Sequence, residues 1–152
     1  MSIADGTDQF LEHGGARLRW RLDAGARTPE GPPLVLIHGW ALSLDYWDPV
    51  APQLAARRGL LRYDRRGFGA TQGPYDPALA CDDLLALLDA AGIDRACLVG
   101  MSQGARVALN EQRLHDVVLD LTCGLAAVQR DERRAGLVAR EQAQVADRGA
   151  AQ

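Results

Sequence analysis

Apolar and polar positions change rhythm along this chain. From Ala16 to Leu22 they alternate, with Arg17, Arg19 and Arg21 between Ala16, Leu18, Trp20 and Leu22. A period of two is that of a strand with one buried face, so the pattern predicts an antiparallel strand with its arginines outward. His13-Gly14-Gly15 reads as the turn joining it to a short strand near Phe10. At Leu34-Val35-Leu36-Ile37 alternation gives way to an unbroken apolar run, as a parallel strand covered on both faces requires. Leu60-Leu61-Arg62-Tyr63, Ala96-Cys97-Leu98-Val99 and Val117-Val118-Leu119-Asp120-Leu121 read as further strands.

Helical patterns fall between them. Trp47-Asp48-Pro49-Val50 predicts a helix start, with Asp48 as N-cap and Pro49 in the first turn. Asp76-Pro77 opens a second helix, with Ala80, Leu84, Leu87, Leu88 and Ala91 on one face and Gly92 past its end. A third runs from Ala105 to Leu114. Strands alternating with helices predict an α/β fold with a mainly parallel sheet and flanking helices. The rhythm then fades. The last aromatic is Tyr75 and the last proline Pro77, and 126–152 is alanine, arginine, glutamine and acid with scattered valines. The chain divides into a folded portion, 1–124, and a charged tail, 125–152, expected to be helical or disordered.

Bulk composition narrows the function classes. A chain of 152 residues, 47% hydrophobic and 24% charged, is the size of one domain with a real core. A net charge of −3 gives no argument for nucleic acid or an anionic membrane, and neither a membrane span nor a signal peptide is seen. Cys81, Cys97 and Cys123 lack C-x-x-C spacing and read as reduced thiols of a cytoplasmic protein, with metal binding a weaker alternative. All 17 basic residues are arginine. Lacking lysine, the chain has no Schiff-base chemistry, Ser–Lys dyad or P-loop of its own.

The sharpest motif is Gly100-Met101-Ser102-Gln103-Gly104, between an apolar run and a helical stretch. Strand, G-x-S-x-G, helix is the context of a nucleophile elbow: the serine stands on a tight turn, and the glycines admit neighbours that a Cβ would strike. Two further blocks follow strands, His38-Gly39-Trp40 after the third and Asp64-Arg65-Arg66-Gly67-Phe68-Gly69 after the fourth.

In order and spacing, from about Phe10 to Asn110, these three blocks resemble the α/β-hydrolase fold family. The resemblance implies a nucleophile at Ser102 and an oxyanion hole from the backbone N–H groups of Trp40 and Gln103, with the N-terminal end of the following helix aimed at it. It implies a structural His38 bonded to loop backbone, and Asp64 and Arg66 as braces of the loop after the fourth strand. Trp40, Tyr46, Trp47 and Phe68 are candidates for an apolar acyl pocket, although Trp47 reads better as a staple between first helix and sheet. Met101 is expected to be pocket wall or packing. No cofactor and no metal is implied.

The chain also departs from the pattern. The family's acid usually follows strand seven and its histidine strand eight, whereas these residues reach strand six. No histidine lies in the last 37 residues, and neither His13 nor His115 is placed to serve Ser102. Asp120 matches a variant position of the acid, beside the plainer reading of a strand-end aspartate. The expectation is a truncated α/β-hydrolase fold ending near strand six: a serine hydrolase for an ester, lactone or related acyl substrate, impaired for want of its histidine and usual acid. The alternative is a non-catalytic remnant binding a small ligand or partner chain. An acyltransferase or hydroxynitrile-lyase-like use of the elbow comes third. Truncation, a frame shift and a naturally short protein all fit the sequence. With later strands absent, strand 117–121 would be an exposed apolar edge, inviting self-association.

Overall fold

The computed structural model describes residues 6–23, 25, 31–109 and 126–129. Its strands are β1 (Asp8–His13), β2 (Ala16–Asp23), β3 (Leu34–Ile37), β4 (Leu60–Tyr63), β5 (Arg95–Gly100) and β6 (Ala126–Gln129). They form one sheet in the order β1-β2-β4-β3-β5-β6. The centre, β4-β3-β5, is parallel; the β1–β2, β2–β4 and β5–β6 pairings are antiparallel. Helices are α1 (Ala51–Ala55), α2 (Ala80–Ala91) and α3 (Gln103–Ala108), with single 3₁₀ turns at Leu44–Trp47 and Pro77–Leu79. Among the described residues no helix is long and apolar enough to cross a membrane.

The unbroken apolar run of β3 is explained by two cores. Val35 and Ile37 join Leu18, Leu61, Leu84, Leu87 and Leu98 on the α2 side. Leu34 and Leu36 join Leu60 and Ala51 on the α1 side, where Trp47 and Leu54 also pack. Trp47 is thus the expected staple. Burying each such leucine is worth about 2 kcal/mol against leaving it exposed.

Gly14 and Gly15, at φ +51° and +74°, supply the two positive-φ residues that a two-residue hairpin of type I′ demands. Asp76 caps the Pro77 turn by accepting from the Ala78 N–H at 2.9 Å, and Gly92 ends α2 at φ +65°. The residues at the ends of β3, β4 and β5 are in register: Ile37 pairs with both Tyr63 and Gly100. The loops after the three parallel strands therefore leave from one edge of the sheet, where open α/β sheets build their sites.

Four expectations are corrected or fall elsewhere. Arg19 does not face outward in water. It is buried, bonded to Asp8, Asp45 and Asp64 at 2.8, 2.9 and 3.3 Å. Alternation specifies a face, and here that face is covered by the 3₁₀ turn bearing Asp45. Asp48 is no helix N-cap; it accepts from the buried Arg62 at 2.6 Å, and α1 starts later, at Ala51, with Pro52 in its first turn. In the tail read as helical or disordered, Ala126–Gln129 is instead a strand antiparallel to β5. Strand 117–121, with Asp120 and the self-association edge, lies outside the described residues, as do His115 and Cys123.

Candidate active site

Ser102 stands between β5 and α3 with φ +52° and ψ −117°. Among non-glycine residues only it and Ala41 have positive φ in the described structure. That combination belongs to glycine in ordinary turns, and for serine costs on the order of 1–3 kcal/mol. The surroundings enforce it. A Cβ on Gly100 would come within 2.5 Å of Ala105 Cα and N, so α3 folds directly back over the end of β5. A Cβ on Gly104 would run into the Ile37 carbonyl oxygen and lie 2.7 Å from that of His38. Each glycine is therefore a place where backbone meets backbone. Ser102 itself is exposed.

The loop after β3 lies against this turn. A Cβ on Gly39 would be 3.4 Å from the Met101 carbonyl oxygen and 3.5 Å from Ser102 Cβ. Trp40 follows directly. Among the described residues neither the Trp40 nor the Gln103 N–H donates a hydrogen bond. The site residues expected from sequence, Ser102, Gln103 and Trp40, are thus on one edge of the sheet, on two loops in contact.

His38 holds that loop and is fully buried. Its Nδ1 lies 2.7 Å from the Gly39 carbonyl oxygen, and its Nε2 accepts from the Arg65 N–H at 2.9 Å. Those partners require the neutral ring protonated on Nδ1. Burial, with Arg65 nearby, pushes the imidazole below its ordinary pKa, against the opposing pull of the Gly39 carbonyl and Asp64. With both nitrogens committed, His38 is a clamp. His13 is on β1, four strand spacings from β5 and so about 19 Å across the sheet.

Asp64 is a second clamp, fully buried, accepting from the N–H groups of Leu44 at 2.6 Å and Ala70 at 2.7 Å and from Arg19 at 3.3 Å. It ties the loop after β3 to its own. Gly69 must be glycine-like because a Cβ would occupy the Asp64 carboxylate's place. Arg66 is buried in a two-pronged pair with Asp83 of α2, at 2.9 and 2.6 Å, and also donates to the carbonyls of His13 and Gly14. The pairing with Asp83 outweighs burial and raises the guanidinium pKa. Asp64 and Arg66 are thus the braces expected.

The aromatics divide. Trp40, Phe68 and Tyr75 form an edge-to-face trio with centroids 5.0–5.6 Å apart, and Trp40 is 54% exposed. Tyr46 and Trp47 pair with each other instead, at 5.3 Å. Tyr75 was missed because its contact comes from the return of a loop: a Cβ on Gly67 would meet Tyr75 Cβ at 2.7 Å. A cavity of about 630 Å³ opens beside α3, lined by Arg65, Tyr75, Gln103 and Arg106 among others. Arg65 was also missed; its only signal was the Arg65-Arg66 pair after a strand. Among the described residues no cluster of three or more His, Cys, Asp or Glu could hold a metal ion.

A profile of the alpha/beta hydrolase fold matches residues 32–113, more than half of the chain. The chain is 35% identical over 141 residues to the dihydrolipoyllysine-residue acetyltransferase component of an acetoin cleaving system from Pseudomonas putida, covering 86% of this chain and 37% of that protein. It is 36% identical over 115 residues to epoxide hydrolase A of Mycobacterium tuberculosis, covering 72% and 35%. It therefore spans little more than a third of the length of these relatives. Among solved structures, a hydrolase from Pseudomonas aeruginosa PA01 matches with a TM-score of 0.62 at 39% identity, over 70% of this chain and 40% of that one. An enol-lactonase from Burkholderia xenovorans LB400 matches with a TM-score of 0.61 at 29% identity, over 68% and 40%. With its sheet order, its serine turn and these matches, the chain belongs to the α/β-hydrolase fold family.

Proposed function

We propose that Ser102 is the nucleophile of an acyl-transfer reaction on an ester, lactone or related substrate. The observation that carries this is the strained backbone of Ser102, at φ +52° and ψ −117°, held between two glycines packed on backbone. Strain at an exposed serine brings no stability; it presents the hydroxyl. In the reaction Ser102 Oγ bonds to the acyl carbon while its proton passes to a base. The carbonyl π electrons move to oxygen, where the Trp40 and Gln103 N–H groups receive them. Collapse expels the leaving alkoxide, protonated by the same base, and water repeats the cycle on the acyl-enzyme. The trio of Trp40, Phe68 and Tyr75, with Trp40 and Tyr75 exposed and Phe68 half-buried, offers an apolar wall for the acyl group.

No described residue is available as that base, so these 152 residues by themselves are read as an impaired hydrolase. A fluorophosphonate serine probe tests the assignment, with imidazole added to supply the base. Intact and peptide mass spectrometry should find one adduct, on Ser102, formed faster with imidazole and absent in Ser102→Ala. Absence of an adduct in the folded wild type, or its persistence in Ser102→Ala, would turn the reading to the alternative, a non-catalytic ligand- or partner-binding module.

A further inference from the structure

Among the described residues four arginines are buried, and one differs from the rest. Arg19, Arg62 and Arg66 all lie against carboxylates: Asp8, Asp45 and Asp64; Asp23 and Asp48; and Asp83. Arg65 is 6% exposed and has no ion pair among the described residues. Its Nε has no hydrogen-bond partner. Its Nη1 reaches the His38 carbonyl oxygen at 3.3 Å and its Nη2 the Gln103 Oε1 at 3.4 Å, both long for N–H···O bonds. The Phe68 ring, 5.2 Å from Cζ, adds attraction but no counter-charge. A buried guanidinium without an anion is a costly arrangement.

Arg65 lines the 630 Å³ cavity, a volume in the range of small-ligand sites. Gln103 lines it too, next to Ser102 in the chain. Arg106, three residues on and hence on the same side of α3, brings a second positive charge to the wall. Tyr75, Cys81 and Val107 complete a mixed surface. We infer that Arg65, supported by Arg106, forms a binding site for a small carboxylate, one Gln103 side chain away from the nucleophile. A planar two-oxygen anion suits the guanidinium of Arg65, whose Nη1 and Nη2 each make one long bond and keep a second N–H. That the carboxylate belongs to the acyl substrate, making it an acid-bearing ester or lactone, rests on the reading of Ser102 as nucleophile.

The test uses the whole chain and does not depend on turnover. Glutarate, neutral dimethyl glutarate and inorganic phosphate are titrated at constant ionic strength, following the Arg65 Nε–H signal by ¹⁵N NMR. Glutarate should shift that signal saturably, dimethyl glutarate should not, and phosphate should bind more weakly. Arg65→Gln should weaken glutarate binding about tenfold or more, and Arg106→Gln by less. Ser102→Ala should bind as the wild type does. An unmoved Arg65 signal, equal responses to glutarate and its diester, or tighter binding of phosphate would overturn the carboxylate site, even if Arg65→Gln fails to fold. Glutarate binding together with an inert Ser102 would keep the site and remove only its link to a substrate.

Discussion

His38 shows how a residue can serve a site without entering the reaction. Neutral and buried, it fixes the Gly39 carbonyl with one nitrogen and the Arg65 amide with the other. Its folded pKa lies below the free value of 6.5, so below about pH 6.5 the unfolded chain binds a proton that the folded chain refuses. Stability from this group is therefore complete above pH 6.5 and is lost as pH falls below it, at up to about 1.4 kcal/mol per pH unit. Urea midpoints between pH 7.5 and 5.5 should fall for the wild type and fall less for His38→Gln, which has no titrating group there. Parallel slopes would mean that His38 takes up its proton in the fold as readily as in the unfolded chain. At this scale the serine and its glycines were legible, because their spacing is local. The buried charges were not. Arg19 meets Asp64 across 45 positions, and no local pattern announces which acid will cover which arginine.

The junction of β3, β5 and α3 is the element on which the site depends. Gly104 lets the first turn of α3 rest on the carbonyls of Ile37 and His38. Gly104→Val must push backbone from backbone, and should cost about 3 kcal/mol, the upper end of overpacking penalties. Gln103→Ala, which removes only one long hydrogen bond from Arg65, should cost less, about 1 kcal/mol. Thermal melts of the two variants compare the effects, and equal melting temperatures would contradict the close approach. Strands β2 to β5 were readable because apolar runs and alternation follow burial directly. Helix starts were less so: Asp48 and Pro49 carry N-terminal signals, yet a long-range bond from Arg62 draws Asp48 away and α1 begins at Ala51. Strand β6 could not be read, since a stretch of alanines and valine takes its conformation from the β5 edge that it joins.

At the scale of the molecule, the sheet gathers the loops after three parallel strands on one edge. Two clamps, His38 and Asp64, hold them, and the serine projects where they meet. The oxyanion donors and nucleophile of the proposed reaction fall within these loops; its base does not fall among the described residues. A nucleophile and its histidine act as a unit, and losing either costs on the order of 10⁶ in turnover. Hydrolysis of p-nitrophenyl acetate by these 152 residues, with Ser102→Ala beside the wild type, is the most direct test. The wild type should run barely above the buffer rate. Turnover at ordinary esterase rates, abolished in Ser102→Ala, would contradict the account, because it would require a base already within this chain or supplied by a second copy.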